Sequence, residues 1–340
     1  MEDSAVPTPN SSLYANASMG CQGDSCSCLI ELNYRALDNA TFIFYLFFLI
    51  VGLIENIIVI WINWRMKESK KESNLYIFNM AIADMGAILF IPLRMTETIY
   101  NYRWIWGSFM CKFDSFFYFV NLYSSIFFLA CFSVDKYFSL GYPSQAQGSR
   151  ERQIRRMVCV CVWTVAVILS IPDFIYNRLF GTVYRFCFFD SIVSAYVLDS
   201  FSLLFGFVIP LPVIVVSNVF TARAVKDSSD TQSRGTCKII YAYIIVFLLC
   251  WSPFYIILFL YLIDQWLSCF MTSLVYFFYD LAECLTFSHC IINPILFNFM
   301  HKDFRHHLAT NVVKYTSKQH VEESDDVSIS SDTRQIVVII

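Results

Sequence analysis

Charge is what this chain has least of. Asp, Glu, Lys and Arg make up 15% of its 340 residues and hydrophobic residues 57%, where soluble domains are about a quarter charged. A soluble two-domain protein is the usual reading of this length. The apolar runs are too long and too many for it. Motifs for a nucleophile, a metal centre or a phosphate cradle are also missing, which removes the enzyme reading. No internal repeat relates the two halves, and no pair of interrupted helices falls at corresponding positions, so a transporter is disfavoured. The first 40 residues open with Glu2 and Asp3, have no basic stretch and no apolar run before Ile43. A cleaved signal peptide is therefore not expected, and the first span is expected to carry the N-terminus across the membrane itself. No cysteine follows Cys290, so the C-terminal segment lacks the usual palmitoylation anchor.

What is present is seven apolar stretches: 42–61, 75–94, 113–132, 157–176, 196–220, 239–263 and 270–300. Each has the roughly 20 mainly apolar residues that a membrane span needs. Near-even spacing and short loops predict one bundle, an all-α membrane protein. Lys and Arg set its orientation. Arg65, Lys67, Lys70 and Lys71 follow the first span, Arg150, Arg152, Arg155 and Arg156 the third, and Arg223, Lys226, Arg234 and Lys238 the fifth. That side is cytoplasmic, and the N-terminus is outside. Sequons at Asn10, Asn16 and Asn39 all fall on the outer segment. Glycosylation is expected at Asn10 and Asn16, whereas Asn39 lies too near the membrane.

Of the 13 cysteines, Cys21, Cys26, Cys28, Cys111, Cys187 and Cys269 fall outside on this topology. Six cysteines in an oxidising compartment allow 15 connectivities. Cys21 and Cys26 either stay free or pair with each other. The outer half is also acidic. It holds Asp38, Glu97, Asp114, Asp173, Asp190, Asp199, Asp280 and Glu283 among others, against six basic residues including Arg94. A field of one sign over a cleft attracts a partner of the opposite sign. Arg94 stands one turn from Glu97 and is expected to pair with it.

Most spans carry a polar or ring residue at the middle: Asn56, Asp84, Trp163, Pro210, Trp251 with Pro253, and Asn293 with Pro294. The third is marked at its end by Asp135, Lys136 and Tyr137. Polar atoms in hydrocarbon are expensive and are usually kept for a purpose. In this order, and with Cys111, Phe247 and the Phe304-Arg305 pair, these residues resemble the rhodopsin-like (class A) G-protein-coupled receptors. His289 to Pro294, Glu283, Cys28, Cys269 and Pro92 resemble the chemokine-receptor branch, although Phe90 replaces its usual threonine. The runs 118–128 and 276–280 resemble that branch's atypical, scavenging receptors. The resemblance implies a seven-transmembrane helix bundle over 41–300, an extracellular segment over 1–40, a short amphipathic eighth helix over 301–314 and a cytoplasmic tail over 315–340.

It also implies disulfides Cys111–Cys187 and Cys28–Cys269, and ligand binding by Glu283; Glu97 and Asp280, acids at the mouth of the bundle, are expected to share that role, with Arg94 and Trp251. Asp84, Asn121, Ser125 and Asn293 would face one another and offer oxygens to a sodium ion. Glu55 receives no partner. The coupling motif departs from the family. Where it has Arg, Tyr and Tyr, this chain has Lys136, Asn218 and Phe297, beside Asp135 and Tyr137. Lysine keeps the charge without the planar fork, and Phe297 has no hydroxyl. The acidic tail carries Ser324, Ser328, Ser330, Ser331 and Thr333. Phosphates there would suit a basic groove such as that of arrestin. The expected protein is a plasma-membrane receptor that binds a basic chemokine-like protein and carries it into endosomes, with G-protein coupling weak or absent. The alternative is a conventional G-protein-signalling peptide receptor.

Overall fold

The structure is a computed structural model and describes residues 18–22, 25–29, 33–65, 75–141, 149–182, 184–225, 231–263 and 266–300. Seven spans cross the bundle: Tyr34–Trp64, Leu75–Ile99, Gly107–Ser139, Arg150–Tyr176, Ile192–Ala224, Tyr241–Leu262 and Phe270–Leu296. The third has 72% of its apolar window buried, well above the others, so it is the central post. Exposed apolar side chains such as Ile43, Val160 and Leu249 cover the outside, as hydrocarbon surroundings require.

The first helix begins at Tyr34, several residues before the apolar run expected over 42–61. Two other expectations were too short for the same reason. The third span is helical from Gly107 to Gly141 and the sixth from Thr231 to Leu262. Their polar end turns extend the helices beyond the apolar cores. The glycosylation sites Asn10 and Asn16, the eighth helix and the tail phosphosites lie outside the described residues.

Proline and glycine explain the breaks. Pro92 cannot donate to the carbonyl four residues back. The second span therefore stops at Ile88, turns at Leu89 and Phe90, and restarts as Ile91–Ile99. In the fifth span, Pro210 opens a helix after a π turn over Leu204–Val208, in which Ile209 N–H donates to Leu204 carbonyl at 3.0 Å. Gly206 sits inside that turn. A Cβ there would lie 1.9 Å from the Tyr255 hydroxyl, so only glycine lets the sixth span come so close.

Two hairpins cap the outer face. Strand β1 (Ser18–Gln22) pairs antiparallel with β2 (Ser25–Leu29), placing Cys21 across from Cys26. Strand β2 packs against the helix that Cys269 opens. The side chains of Cys28 and Cys269 lie outside the described residues. Strand β3 (Asn177–Phe180) pairs with β4 (Phe186–Phe189). Its turn needs Gly181, whose φ is +87° and whose Cβ would meet the Tyr184 carbonyl oxygen at 1.9 Å. Cys187 on β4 is joined to Cys111 with Cα atoms 5.5 Å apart. This ties the hairpin to the outer end of the third span.

The mid-span polar residues turn out to be the ties between helices. Asn56 Nδ2 donates to the Cys290 carbonyl at 2.7 Å, joining the first span to the seventh. Trp163 Nε1 donates to Asn79 Oδ1 at 2.9 Å, joining the fourth to the second. Interhelical hydrogen bonds in membranes are worth on average about 0.6 kcal/mol each. They fix register more than they hold the bundle together.

Candidate ligand site and polar core

At the outer end the second, third and seventh spans meet at one guanidinium. Arg94 Nε lies 2.7 Å from Asp114 Oδ2, and Nη1 lies 3.2 Å from Glu283 Oε1. The fork of an arginine suits two such carboxylates. The expected Arg94–Glu97 pair is replaced by these two longer-range pairs. The break before Pro92 starts a new helix, which points Arg94 into the bundle. Glu97 still couples electrostatically to Arg94. Below the guanidinium lies the Tyr118 ring, 5.5 Å from the Arg94 Cζ, and the Tyr118 hydroxyl meets Thr286 Oγ1 at 3.5 Å.

The carboxylates continue round the bundle. Glu283 couples to Asp280 and to Asp199, and Asp199 couples to Asp173. Asp114, Asp173 and Asp199 are all buried. Asp38 on the first span accepts the Tyr102 hydroxyl at 2.8 Å. Tyr102 and its neighbour Asn101 both have positive φ, 63° and 53°, a conformation uncommon for a bulky side chain. Burial, with the charge of Asp280 next, raises the Tyr102 phenol well above its ordinary value. It therefore stays neutral and donates to Asp38. The result is an acidic belt with members from six of the seven spans. Asp114, Asp173 and Asp199 were visible in the sequence only as outer acids. Their depth in the third, fourth and fifth spans was the available signal. Trp251 stands apart from the belt, buried in the core with its ring 4.7 Å from that of His289.

In mid-bundle Asp84 is fully buried. Its Oδ1 accepts from Asn121 Nδ2 at 3.0 Å and Ser125 Oγ at 2.9 Å, and His289 Nε2 stands 3.3 Å away. Asp84 Oδ2 has no hydrogen-bond partner among the described residues. Asn293 is buried and lines a small cavity with Ser125, Trp251 and His289. The fit to a sodium ion is incomplete. Asn121 turns nitrogen, not oxygen, toward the carboxylate, and imidazole and thiol are poor sodium ligands. Yet the imidazole of His289 and the thiol of Cys290 crowd the same carboxylate. His289 was read from the sequence as a motif letter only, because nothing in its spacing names Asp84.

At the cytoplasmic end Asp135 does not pair with the neighbouring Lys136. Its Oδ1 receives Arg155 Nε at 2.9 Å from the fourth span. Lys136 Nζ lies 5.2 Å from the centre of the Phe132 ring. Asn218 Nδ2 donates to Ser133 Oγ at 3.2 Å and to the Ile214 carbonyl at 2.6 Å. Tyr137 lies against Phe220, ring centres 6.0 Å apart and planes inclined at 48°. The side chain of Phe297 lies outside the described residues.

Comparison with known proteins agrees with this architecture. The family model for the 7 transmembrane receptor (rhodopsin family) matches residues 55–297. The chain is 38% identical over 321 residues to G-protein coupled receptor 182 of Homo sapiens, covering 92% of this chain and 80% of that protein. It is 30% identical over 323 residues to atypical chemokine receptor 3 of Homo sapiens, covering 91% and 89%. The Canis lupus familiaris form of that receptor is 31% identical over the same length, again covering 91% and 89%. The chain therefore belongs to the rhodopsin family of seven-transmembrane receptors, in its chemokine-receptor branch, as a multi-pass plasma-membrane receptor and not an enzyme.

Proposed function

We propose that this receptor binds a basic chemokine-like protein through the acidic belt and carries it into endosomes, with G-protein coupling weak or absent. The belt is the observation that supports this reading. Arg94 neutralises part of it, and a cationic ligand side chain would bring Asp280, Glu97, Asp199 and Asp173 the counter-charge that a buried carboxylate needs. Similarity to receptors named as atypical chemokine receptors points the same way. The cytoplasmic end supports the second half. Asn218 already spends its donor on Ser133 and Ile214, and Lys136 rests on an aromatic face. Opening the sixth span needs new polar contacts to hold it open, and a state that lacks them is thinly populated. Phosphates at Ser324, Ser328, Ser330, Ser331 and Thr333 would supply the charge for arrestin.

The test is one chemokine panel read two ways on cells expressing the intact receptor. Uptake of labelled ligand is expected without ligand-dependent nucleotide exchange. Strong exchange on any G-protein family overturns the scavenging reading and leaves a conventional peptide receptor in its place.

A further inference from the structure

Beneath Trp251 the seventh span presents two metal-ligating side chains in succession. His289 Nε2 stands 3.3 Å from Asp84 Oδ1 and 3.5 Å from Cys290 Sγ. The three ligand atoms lie within 4.8 Å of one another, and all three residues are buried. The imidazole's other nitrogen, Nδ1, faces the Thr286 carbonyl oxygen. A carbonyl only accepts, so Nδ1 donates to it, and Nε2 is the ring nitrogen that faces both the carboxylate and the thiol. A metal-bound histidine usually holds its other ring N–H on a carbonyl in this way, which orients the free nitrogen toward the ion.

We propose that Asp84, His289 and Cys290 form a site for a zinc-class divalent cation. The edges of 3.3 and 3.5 Å match those expected between O, N and S ligands at about 2.0–2.3 Å from a tetrahedral zinc. Hard, oxygen-seeking cations have no use for the sulfur. Charge balances as well. The ion takes carboxylate and thiolate, and the thiol proton leaves as it binds, so the apolar core holds no net charge. A cavity of about 10 Å³ adjoins the site, lined by Ser125, Trp251, His289 and Asn293 among others. That is about enough for the one water that completes four-coordination. The three ligands come from the second and seventh spans, so the ion would clasp these helices at the level of Asp84. This inference does not depend on the ligand reading above.

Full-length receptor, purified in detergent without chelators and dialysed against micromolar zinc, is the sample. Metal content is measured by mass spectrometry and the ligands by X-ray absorption at the zinc edge. Bound zinc with a single sulfur at about 2.3 Å is expected. Cys290→Ser is expected to remove the sulfur shell, while Cys284→Ser keeps it. Wild-type receptor without zinc refutes the site. A sulfur shell that survives Cys290→Ser also refutes it. A third refutation is a melting temperature raised by sodium chloride and unmoved by zinc, which would assign the core to a hard monovalent ion. The wild-type measurements stand even where a variant fails to fold.

Discussion

At the scale of single residues, Arg94 decides the character of the outer site. Its ion pairs reach two other spans, and the Asp114 side chain is 5% exposed. Removing one member of a buried pair leaves an uncompensated charge, typically costing about 3–5 kcal/mol. Arg94→Gln is therefore expected to lower the melting temperature of the detergent-purified receptor strongly. Arg94→Gln combined with Asp114→Asn is expected to recover much of the loss. Equal melting of single variant and wild type would show that the pair holds nothing. The sequence displayed these acids but not their pairing. Spacing on one helix names Glu97, whereas the partners actually used come from the third and seventh spans. Local periodicity carries no information about a neighbour that folding brings from elsewhere.

At the scale of elements, the informative places are those where a helix is interrupted. The π turn before Pro210 and Gly206 let the fifth and sixth spans touch at Tyr255. Gly206→Ala would force a methyl against the Tyr255 hydroxyl, and overpacking of this kind costs about 1–3 kcal/mol. A lower melting temperature is expected, partly restored by Tyr255→Phe. The second prediction concerns the outer hairpin. Its register sets Cys21 opposite Cys26, so a disulfide between them is expected, leaving Cys28 for Cys269. A non-reducing peptide map decides it, and a Cys21–Cys28 bridge would contradict it. The spans were legible because long apolar runs have few other meanings. Their ends were not, because polar turns such as 231–238 continue a helix that hydropathy no longer marks. Strands β3 and β4 are four residues each, too short to show a period.

At the scale of the whole molecule, the belt is a field before it is a set of contacts. Carboxylates at the outer end would speed the encounter with the proposed basic ligand, and salt screens them over about 10 Å at 0.1 M. The on-rate of a basic chemokine is therefore expected to fall as ionic strength rises, with a smaller change in the off-rate. Surface plasmon resonance across a salt series reads both, and a flat on-rate would argue against steering. The bond from Asn56 to the Cys290 carbonyl has a consequence for biosynthesis. Its ends are 234 residues apart, and at about 5–20 residues per second the first helix waits on the order of 10–50 s for its partner to be made. Through that interval the amide has its own Gly52 carbonyl, 2.9 Å away on the preceding turn. The newborn helix can thus sit in the bilayer with its donor satisfied, and it gains its partner only when the last span arrives to close the ring.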